Sequence, residues 1–166
     1  MRVRTFVAIG SNAGDRHAHC AAARTMLDRL PETQVLRVSP LIETEPAEGA
    51  AGGPFLNGVA ELTTALSPRE LLDALRAVEA ALGRPTRHPP GAARTIDLDI
   101  LLYGDRVVRE AGLDIPHPRM ARRRFVLEPL VAIAPDARHP VLDASAADLL
   151  RGLDAAGAPP PGSDAS

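Results

Sequence analysis

Apolar and polar residues alternate at the start of the chain, with Val3, Thr5, Val7 and Ile9 sharing one face before the cluster Gly10-Ser11-Asn12-Ala13-Gly14. A period of two predicts a strand over residues 3 to 9, and the small, turn-forming cluster predicts its end. Asp15 stands where a helix N-cap belongs, and a stripe of Ala22, Met26 and Leu30 predicts a helix that Pro31 stops. Thr33 to Val38 reads as a second strand. The patternless stretch from Ser39 to Pro54, rich in Glu, Ala and Gly, reads as a long loop, which in a compact domain is either functional or disordered. Alternation returns from Phe55 to Thr64 as a third strand. Ser67-Pro68-Arg69-Glu70 then combines a capping box with a proline at the first helical position. Leu71, Leu75, Val78 and Leu82 give that helix an apolar stripe, and Gly83 closes it.

A second loop, Arg84 to Arg94, carries Pro85, Pro89, Pro90, Gly91 and the arginines Arg84, Arg87 and Arg94. Thr95 to Tyr103 is the clearest strand of the chain. Gly104-Asp105 predicts a tight turn into Arg106-Val107-Val108 and hence a hairpin. The chain turns again around Pro116 to Pro118. Arg119 to Ala134 reads as helical with a break near Pro129, and Ser145 to Leu153 as a short final helix. The order β-α-β-β-α-β is the ferredoxin-like pattern. The expected class is therefore α+β, an antiparallel sheet with helices on one face and loops over the other, plus an added hairpin and C-terminal helices. Residues 1–153 are expected to form a single domain, and the Ala/Gly/Pro/Ser tail 154–166 to be disordered. A fold of this kind leaves function open.

Composition narrows the chemistry. All 19 basic residues are arginine, so the chain has no lysine for a phosphate loop, a Schiff base or a lysine nucleophile. One tyrosine and three phenylalanines cannot build an extended base-stacking surface. A net charge of −2 supplies no basic field for nucleic acid or an anionic membrane. Cys20 is the single cysteine, which excludes an internal disulfide and paired-cysteine zinc sites, and a small core residue is the expected role. The opening segment is too short and too alternating for a signal peptide, and no apolar run reaches membrane-spanning length. The expectation is a soluble, cytoplasmic protein, monomeric, with no nucleic-acid or membrane partner.

On the strand from Thr95, Ile96, Leu98 and Ile100 point one way and Asp97 and Asp99 the other. The two carboxylates stand about 7 Å apart along the strand and repel unless something cationic lies between them. Oxygen ligands on a rigid strand suit Mg²⁺, whose shell is usually completed by water and phosphates. The same pair also suits a solvated face neutralised by Arg94 and its neighbours. Arg84, Arg87 and Arg94 flank the acids and Arg122, Arg123 and Arg124 form a second cluster. In a lysine-free chain, guanidinium groups must do any phosphate clamping. Phe55 and Asn57 share a face of the third strand, either as a ring and amide reading a flat heterocycle or as part of a buried face. His117, between two prolines, is either a turn residue or a neutral donor to a phosphate oxygen. Gly10 to Asp15 could cradle a phosphate, or simply turn the chain tightly from strand to helix. His17 and His19, two apart near a helix start, do not face one another.

Arg-Thr-Ile-Asp-Leu-Asp-Ile-Leu at 94–101 closely resembles the signature of the 6-hydroxymethyl-7,8-dihydropterin pyrophosphokinase family of folate biosynthesis. Ala8-Ile9-Gly10-Ser11-Asn12 resembles the family's opening strand and turn, and Glu43-Thr44-Glu45-Pro46 with Phe55-Leu56-Asn57 its pterin-side segment. Ile115-Pro116-His117-Pro118-Arg119-Met120 and Arg123-Arg124-Phe125-Val126-Leu127-Glu128-Pro129-Leu130 resemble its late segments, in order, so that the likeness covers residues 3 to 135. The resemblance implies transfer of pyrophosphate from ATP to the hydroxymethyl oxygen of the dihydropterin, by attack at the β-phosphorus with release of AMP. It implies two Mg²⁺ ions held by Asp97 and Asp99, and a pterin sandwiched by Phe55 and Phe125 with Asn57 and Thr44 at its polar edge. It implies phosphate handling by the catalytic arginines Arg84 and Arg94, and nucleotide contacts at Glu79, Ile100, His117 and Arg123. The loop 85–93 lacks the family's familiar tryptophan, Pro118 replaces a tyrosine, Arg124 stands where glycine is frequent, and Arg87 is out of step with the expected loop arginines. Two other classes fit parts of the pattern. A palm-type nucleotidyl transferase or cyclase also sets two aspartates on such a sheet, and a ferredoxin-like RNA-binding module shares the fold but needs strand aromatics this chain lacks.

Overall fold

The first strand forms as β1 (Val3–Ser11) and is the axis of the structure, pairing antiparallel with β4 (Phe55–Thr64) on one side and β5 (Asp97–Tyr103) on the other. The computed structural model describes residues 1–44, 53–83 and 95–156. β2 (Thr33–Val38) lies outside β4, so the sheet runs β2-β4-β1-β5 with antiparallel pairing throughout. Each helical crossover skips one strand. α1 (Arg16–Asp28) carries the chain from β1 past β4 to β2, and α2 (Pro68–Ala81) carries it from β4 past β1 to β5. This is the split βαβ arrangement of a ferredoxin-like sheet, the α+β class expected from the element order.

Local chemistry sets the helix ends. Asp15 caps α1 by accepting from the Ala18 N–H at 3.1 Å. Ser67 and Glu70 form a reciprocal capping box on α2, at 2.8 and 3.1 Å. The buried stripe of α1 is Cys20, Ala23 and Leu27, one position round from the expected Ala22, Met26 and Leu30, which flank it half-buried. Leu71, Leu75 and Val78 of α2 meet Val7, Ile9, Leu56, Leu62, Ile96 and Leu98 in the main core. At the far edge, Gly83 leaves the helix with φ +92°.

Four expectations need correction. First, the 39–54 segment is not wholly loop, because Ile42–Thr44 forms β3 against the start of β4, with Ile42 opposite Asn57 and Thr44 opposite Phe55. β2 stops pairing at Ala60, so the first residues of β4 would otherwise leave backbone groups without partners. Residues 45–52 lie outside the described residues. Second, no hairpin extends from β5. Gly104 (φ +55°) donates its N–H to the Arg4 carbonyl at 2.8 Å, whereas β6 (Val108–Glu110) pairs with β7 (Leu113–Ile115) as a separate ribbon. Val108, Leu113 and Ile115 anchor that ribbon in the main core.

Third, the late helix breaks at Arg123 rather than near Pro129. A 3-10 turn at Met120–Arg122 precedes α3 (Arg124–Ile133), Arg123 between them is extended, and Pro129 lies buried within the helix. Fourth, the second face of the sheet is not left to loops. α3 covers half of it through a second core of Phe6, Val59, Leu101, Met120, Val126 and Leu130. Behind α3, the short strands β8 (Arg138–His139) and β9 (Ala144–Ser145) lead into α4 (Ala146–Ala155), which packs on it. α4 thus runs two residues into the segment expected to be tail, and residues 157–166 lie outside the described residues. Glu61, 3% exposed on this face, lies 3.0 Å from Arg4 Nε and 3.1 Å from Arg37 Nε. Among the described residues, no helix is long and apolar enough to cross a membrane.

Candidate active site

Directly paired residues of an antiparallel ladder share a face. Gly10 of β1 pairs with Asn57 of β4 and with Asp97 of β5, and Ala8 pairs with Val59 and with Asp99. The part of the far face that α3 leaves open is therefore a trough. Its floor is Gly10 and Ala8, the β4 bank carries Phe55 and Asn57, and the β5 bank carries Asp97 and Asp99. The smallness of the floor is structural: a Cβ on Gly10 would stand 3.3 Å from Asn57 Oδ1 and 3.6 Å from Phe55 Cδ1.

On the β4 bank, Asn57 Nδ2 donates to Thr44 Oγ1 at 2.8 Å, which leaves the amide carbonyl oxygen facing the floor. Asn57 and Thr44 are 9% and 6% exposed, while Phe55 is half-buried. Both readings of this face hold in part: Val59 and Glu61 are buried beneath α3's half, and Phe55 and Asn57 line the open half.

The β5 bank is the electrostatic feature of the molecule. Asp99, its side chain 35% exposed, has its pKa pushed up to about 6 by burial first and then by the charge of Asp97, against the opposing charges of Arg76 and Arg123. β5 is an edge strand, and two side chains of α2 take its outward backbone at Leu98. Glu79 Oε2 accepts the Leu98 N–H at 2.8 Å, Arg76 Nη1 donates to the Leu98 carbonyl at 2.9 Å, and the two side chains pair at 2.8 Å. Arg76 Nη2 also lies 3.8 Å from Asp99 Oδ1. Glu79, 4% exposed, is thus committed to the strand edge. The Ile100 side chain is in the main core, and by alternation its backbone faces the same edge as that of Leu98.

His117 sits where β7 leads into the 3-10 turn. Its backbone N–H donates to the Leu101 carbonyl at 3.0 Å, and its Nδ1 accepts from the Arg119 N–H at 3.2 Å. That contact assigns the ring proton to Nε2. Burial, followed by the charges of Arg123 and Arg119, pushes the imidazole down to about 4, so it is a neutral donor at physiological pH. The Arg123 guanidinium lies 5.4 Å from the centre of the Phe125 ring, and Phe125 packs half-buried on the same cluster as Ala8. Arg84, Arg87 and Arg94 lie outside the described residues.

Thr44, Phe55, Asn57, Asp97 and Asp99 therefore line or border one trough, and Arg123 and His117 act electrostatically on or with its acidic bank. The floor residues and the Arg76–Glu79 edge clamp were not foreseen. Ala8 and Gly10, two small residues on the same face of a central strand, were the signal for the floor. Gly10 to Asp15 leads the chain from β1 into α1, where Asp15 takes the Ala18 N–H.

A pair of carboxylates opposed to an aromatic and amide bank suits a metal-assisted phosphate-transfer site. The family model for 7,8-dihydro-6-hydroxymethylpterin-pyrophosphokinase matches residues 6–135. The 2-amino-4-hydroxy-6-hydroxymethyldihydropteridine pyrophosphokinase of Pseudomonas aeruginosa is 45% identical over 137 residues, 82% of this chain and 84% of that one. The enzyme of the same name from Bacillus subtilis is 41% identical over 128 residues, 77% of this chain and 76% of that one. Among solved structures, wild-type HPPK-DHPS of Plasmodium falciparum shares the fold at a TM-score of 0.72 and 13% identity, over 92% of this chain and 45% of that longer one. The chain belongs to the 7,8-dihydro-6-hydroxymethylpterin-pyrophosphokinase family and is an ATP-dependent pyrophosphokinase.

Two outcomes follow from this geometry. Gly10→Val places its Cβ against Asn57 Oδ1 and Phe55 Cδ1 and is expected to lower pyrophosphokinase activity about 10²-fold by displacing those two side chains. Activity within threefold of the parent in a steady-state assay would contradict the floor. The His117 imidazole is expected to titrate near pH 4 by NMR rather than near its ordinary 6.5. Because the unfolded chain takes up that proton first, stability should fall as pH drops from about 6.5 to about 4. A midpoint above 6 would contradict the buried neutral ring.

Proposed function

We infer the division of labour in the trough from the opposition of its two banks across Gly10 and Ala8, the single observation that carries the residue-level reading. The reaction is the family's: pyrophosphate passes from ATP to the hydroxymethyl oxygen of 6-hydroxymethyl-7,8-dihydropterin, with AMP released, in folate biosynthesis. The bond formed joins that oxygen to the β-phosphorus, the bond broken leaves the bridging oxygen with AMP, and the hydroxyl proton is released to solvent.

The pterin lies on the β4 bank. Phe55 offers a ring face, Asn57 a carbonyl oxygen held in place by its own bond to Thr44, and Phe125 a second apolar surface from α3. The phosphates lie on the β5 bank. His117 donates through Nε2 to a phosphate oxygen, Arg123 neutralises charge beside it, and Arg84 and Arg94 clamp phosphate from the adjoining segment. Glu79 and the backbone of Ile100 meet the nucleotide at the β5 edge, Glu79 while also holding Leu98 in place.

Members of the family use ATP with Mg²⁺, and the donor set fits that ion. Burial, and then the charge of Asp97, pushes Asp99 up to about 6, an environment that a cation would relieve. Among the described residues no third carboxylate, histidine or cysteine joins them, which suits an ion that completes its shell with water and substrate phosphates. Two such ions held by this pair would supply neutralisation of the charge on the transferring group. The protein's part is then positioning and electrostatics, as a loose phosphoryl-type transition state requires, rather than a strong base. One chain carries every residue invoked, and the proposed enzyme acts as a monomer.

Incubation with ATP, Mg²⁺ and the hydroxymethyldihydropterin is expected to give AMP and pterin pyrophosphate in equal amounts. ADP, or free pyrophosphate with cyclised or polymerised nucleotide, would overturn the reaction. Asp97→Ala and Asp99→Ala are each expected to lose about 10³-fold or more in kcat with the fold retained. Near-normal turnover in either variant would remove the carboxylate pair from the mechanism.

A further inference from the structure

The β1–α1 turn is tied to the β4 bank by contacts that the reaction does not explain. Arg16, the first residue of α1, donates from Nη1 to the Pro54 carbonyl at 2.8 Å and pairs through Nη2 with Glu43 Oε1 at 2.7 Å. Those partners immediately precede Thr44 and Phe55, which stand opposite one another in the β3–β4 register. A single planar guanidinium therefore bridges the two strands at the point where they open toward the trough. The turn presenting it is anchored in turn. The Gly53 N–H donates to the Asn12 carbonyl at 3.3 Å, and His19 Nδ1 lies 3.2 Å from the Ala13 carbonyl. Gly14 adopts φ +67°, where a Cβ would fall 2.8 Å from His19 Cε1. Gly14 thus allows the His19 ring to close on the turn.

Stability alone does not account for the arrangement. Glu43 is 56% exposed, and ion pairs of that exposure contribute little to folding. Local strand pairing already joins β3 to β4 through their backbones. What the bridge adds is a fixed separation between Thr44, which holds Asn57, and Phe55, the ring of the same bank.

We propose that Arg16 is a positioning residue for the pterin, acting through Glu43 and Pro54 to set the spacing of Thr44 and Phe55, and that it governs pterin affinity without governing nucleotide affinity. The proposal rests on the assignment of the β4 bank to the pterin. Arg16 lies on the turn side of that bank, and its described partners are Glu43 and Pro54 rather than any residue of the acidic bank.

The test measures two affinities by calorimetry in Arg16→Met, Arg16→Lys, Glu43→Ala and Phe55→Ala. One is for hydroxymethyldihydropterin in the presence of a saturating non-hydrolysable ATP analogue with Mg²⁺, and the other is for the analogue alone. Arg16→Met is expected to weaken pterin binding about tenfold, equivalent to about 1.4 kcal/mol. Analogue affinity should stay within twofold, and in turnover KM for the pterin should rise more than kcat falls. Arg16→Lys, a point charge without the fork, is expected to recover part of the loss, and Glu43→Ala to show a smaller loss of the same selectivity. Pterin affinity within twofold of the parent in Arg16→Met, or equal losses for both ligands, would overturn the proposal. If Arg16→Met does not fold, Arg16→Lys and Glu43→Ala decide it, and unchanged pterin affinity in both overturns it. Pterin binding that survives Phe55→Ala would instead overturn the bank assignment, so the two failures are separable.

Discussion

The register of three antiparallel strands is the constraint on which the site depends. Asn57, Gly10 and Asp97 share one row, and Val59, Ala8 and Asp99 the next, because β1 pairs with β4 on one edge and with β5 on the other at both positions. A slip of one residue in β5 would send both carboxylates into the main core and bring Leu98 and Ile100 out of it. Each exposed aliphatic side chain would cost about 1.5–3 kcal/mol, apart from the burial of two charges. The hydrophobic alternation of Ile96, Leu98 and Ile100 therefore aims Asp97 and Asp99, and the acids need contribute nothing to stability to be held in place. Across the row, Gly10 supplies a gap rather than a contact.

Electrostatics builds on that geometry. The acidic bank sits on an edge strand whose outward groups at Leu98 are taken by Arg76 and Glu79, so the edge is closed without a further strand. Burial and mutual repulsion raise Asp99 while Arg76 and Arg123 oppose the rise. The bank thus concentrates negative charge, set against the cations of Arg76 and Arg123. Burial, followed by the charges of Arg123 and Arg119, keeps His117 neutral, which makes it a hydrogen-bond donor rather than a competing charge. A chain without lysine thus retains arginines and carboxylates for phosphate transfer, and in the proposed reading two of its four aromatic residues, Phe55 and Phe125, serve one small ring.

The strands and helices were legible wherever a single period or cap governed them. β2 and β4 have the expected bounds, and Asp15 and Ser67 cap their helices as read. The misreadings share a physical cause, since each depended on a partner remote in sequence. Ile42–Thr44 is too short to announce itself as a strand and forms because the start of β4 lacks a neighbour on the side where β2 stops. Val108 pairs with Ile115 rather than with β5 because its ribbon finds its own apolar seat in the core. The burial of Pro129 within α3 depends on the packing of that helix over the sheet, which the local sequence does not encode. In the site, Asp97, Asp99, Phe55 and Asn57 were legible from alternation and resemblance. Arg16 was not, since an arginine at a helix start carries no pattern until Glu43 and Pro54 are brought to it.

The central claim is that the pterin and the phosphates occupy opposite banks of one trough, with Gly10 and Ala8 between them. A crystal structure of the chain with hydroxymethyldihydropterin, Mg²⁺ and a non-hydrolysable ATP analogue tests it most directly. The ring is expected against Phe55 with its polar edge at Asn57, and the β- and γ-phosphates over Asp97 and Asp99. Phosphates bound away from both aspartates, or a pterin seated off the β4 bank, would contradict it.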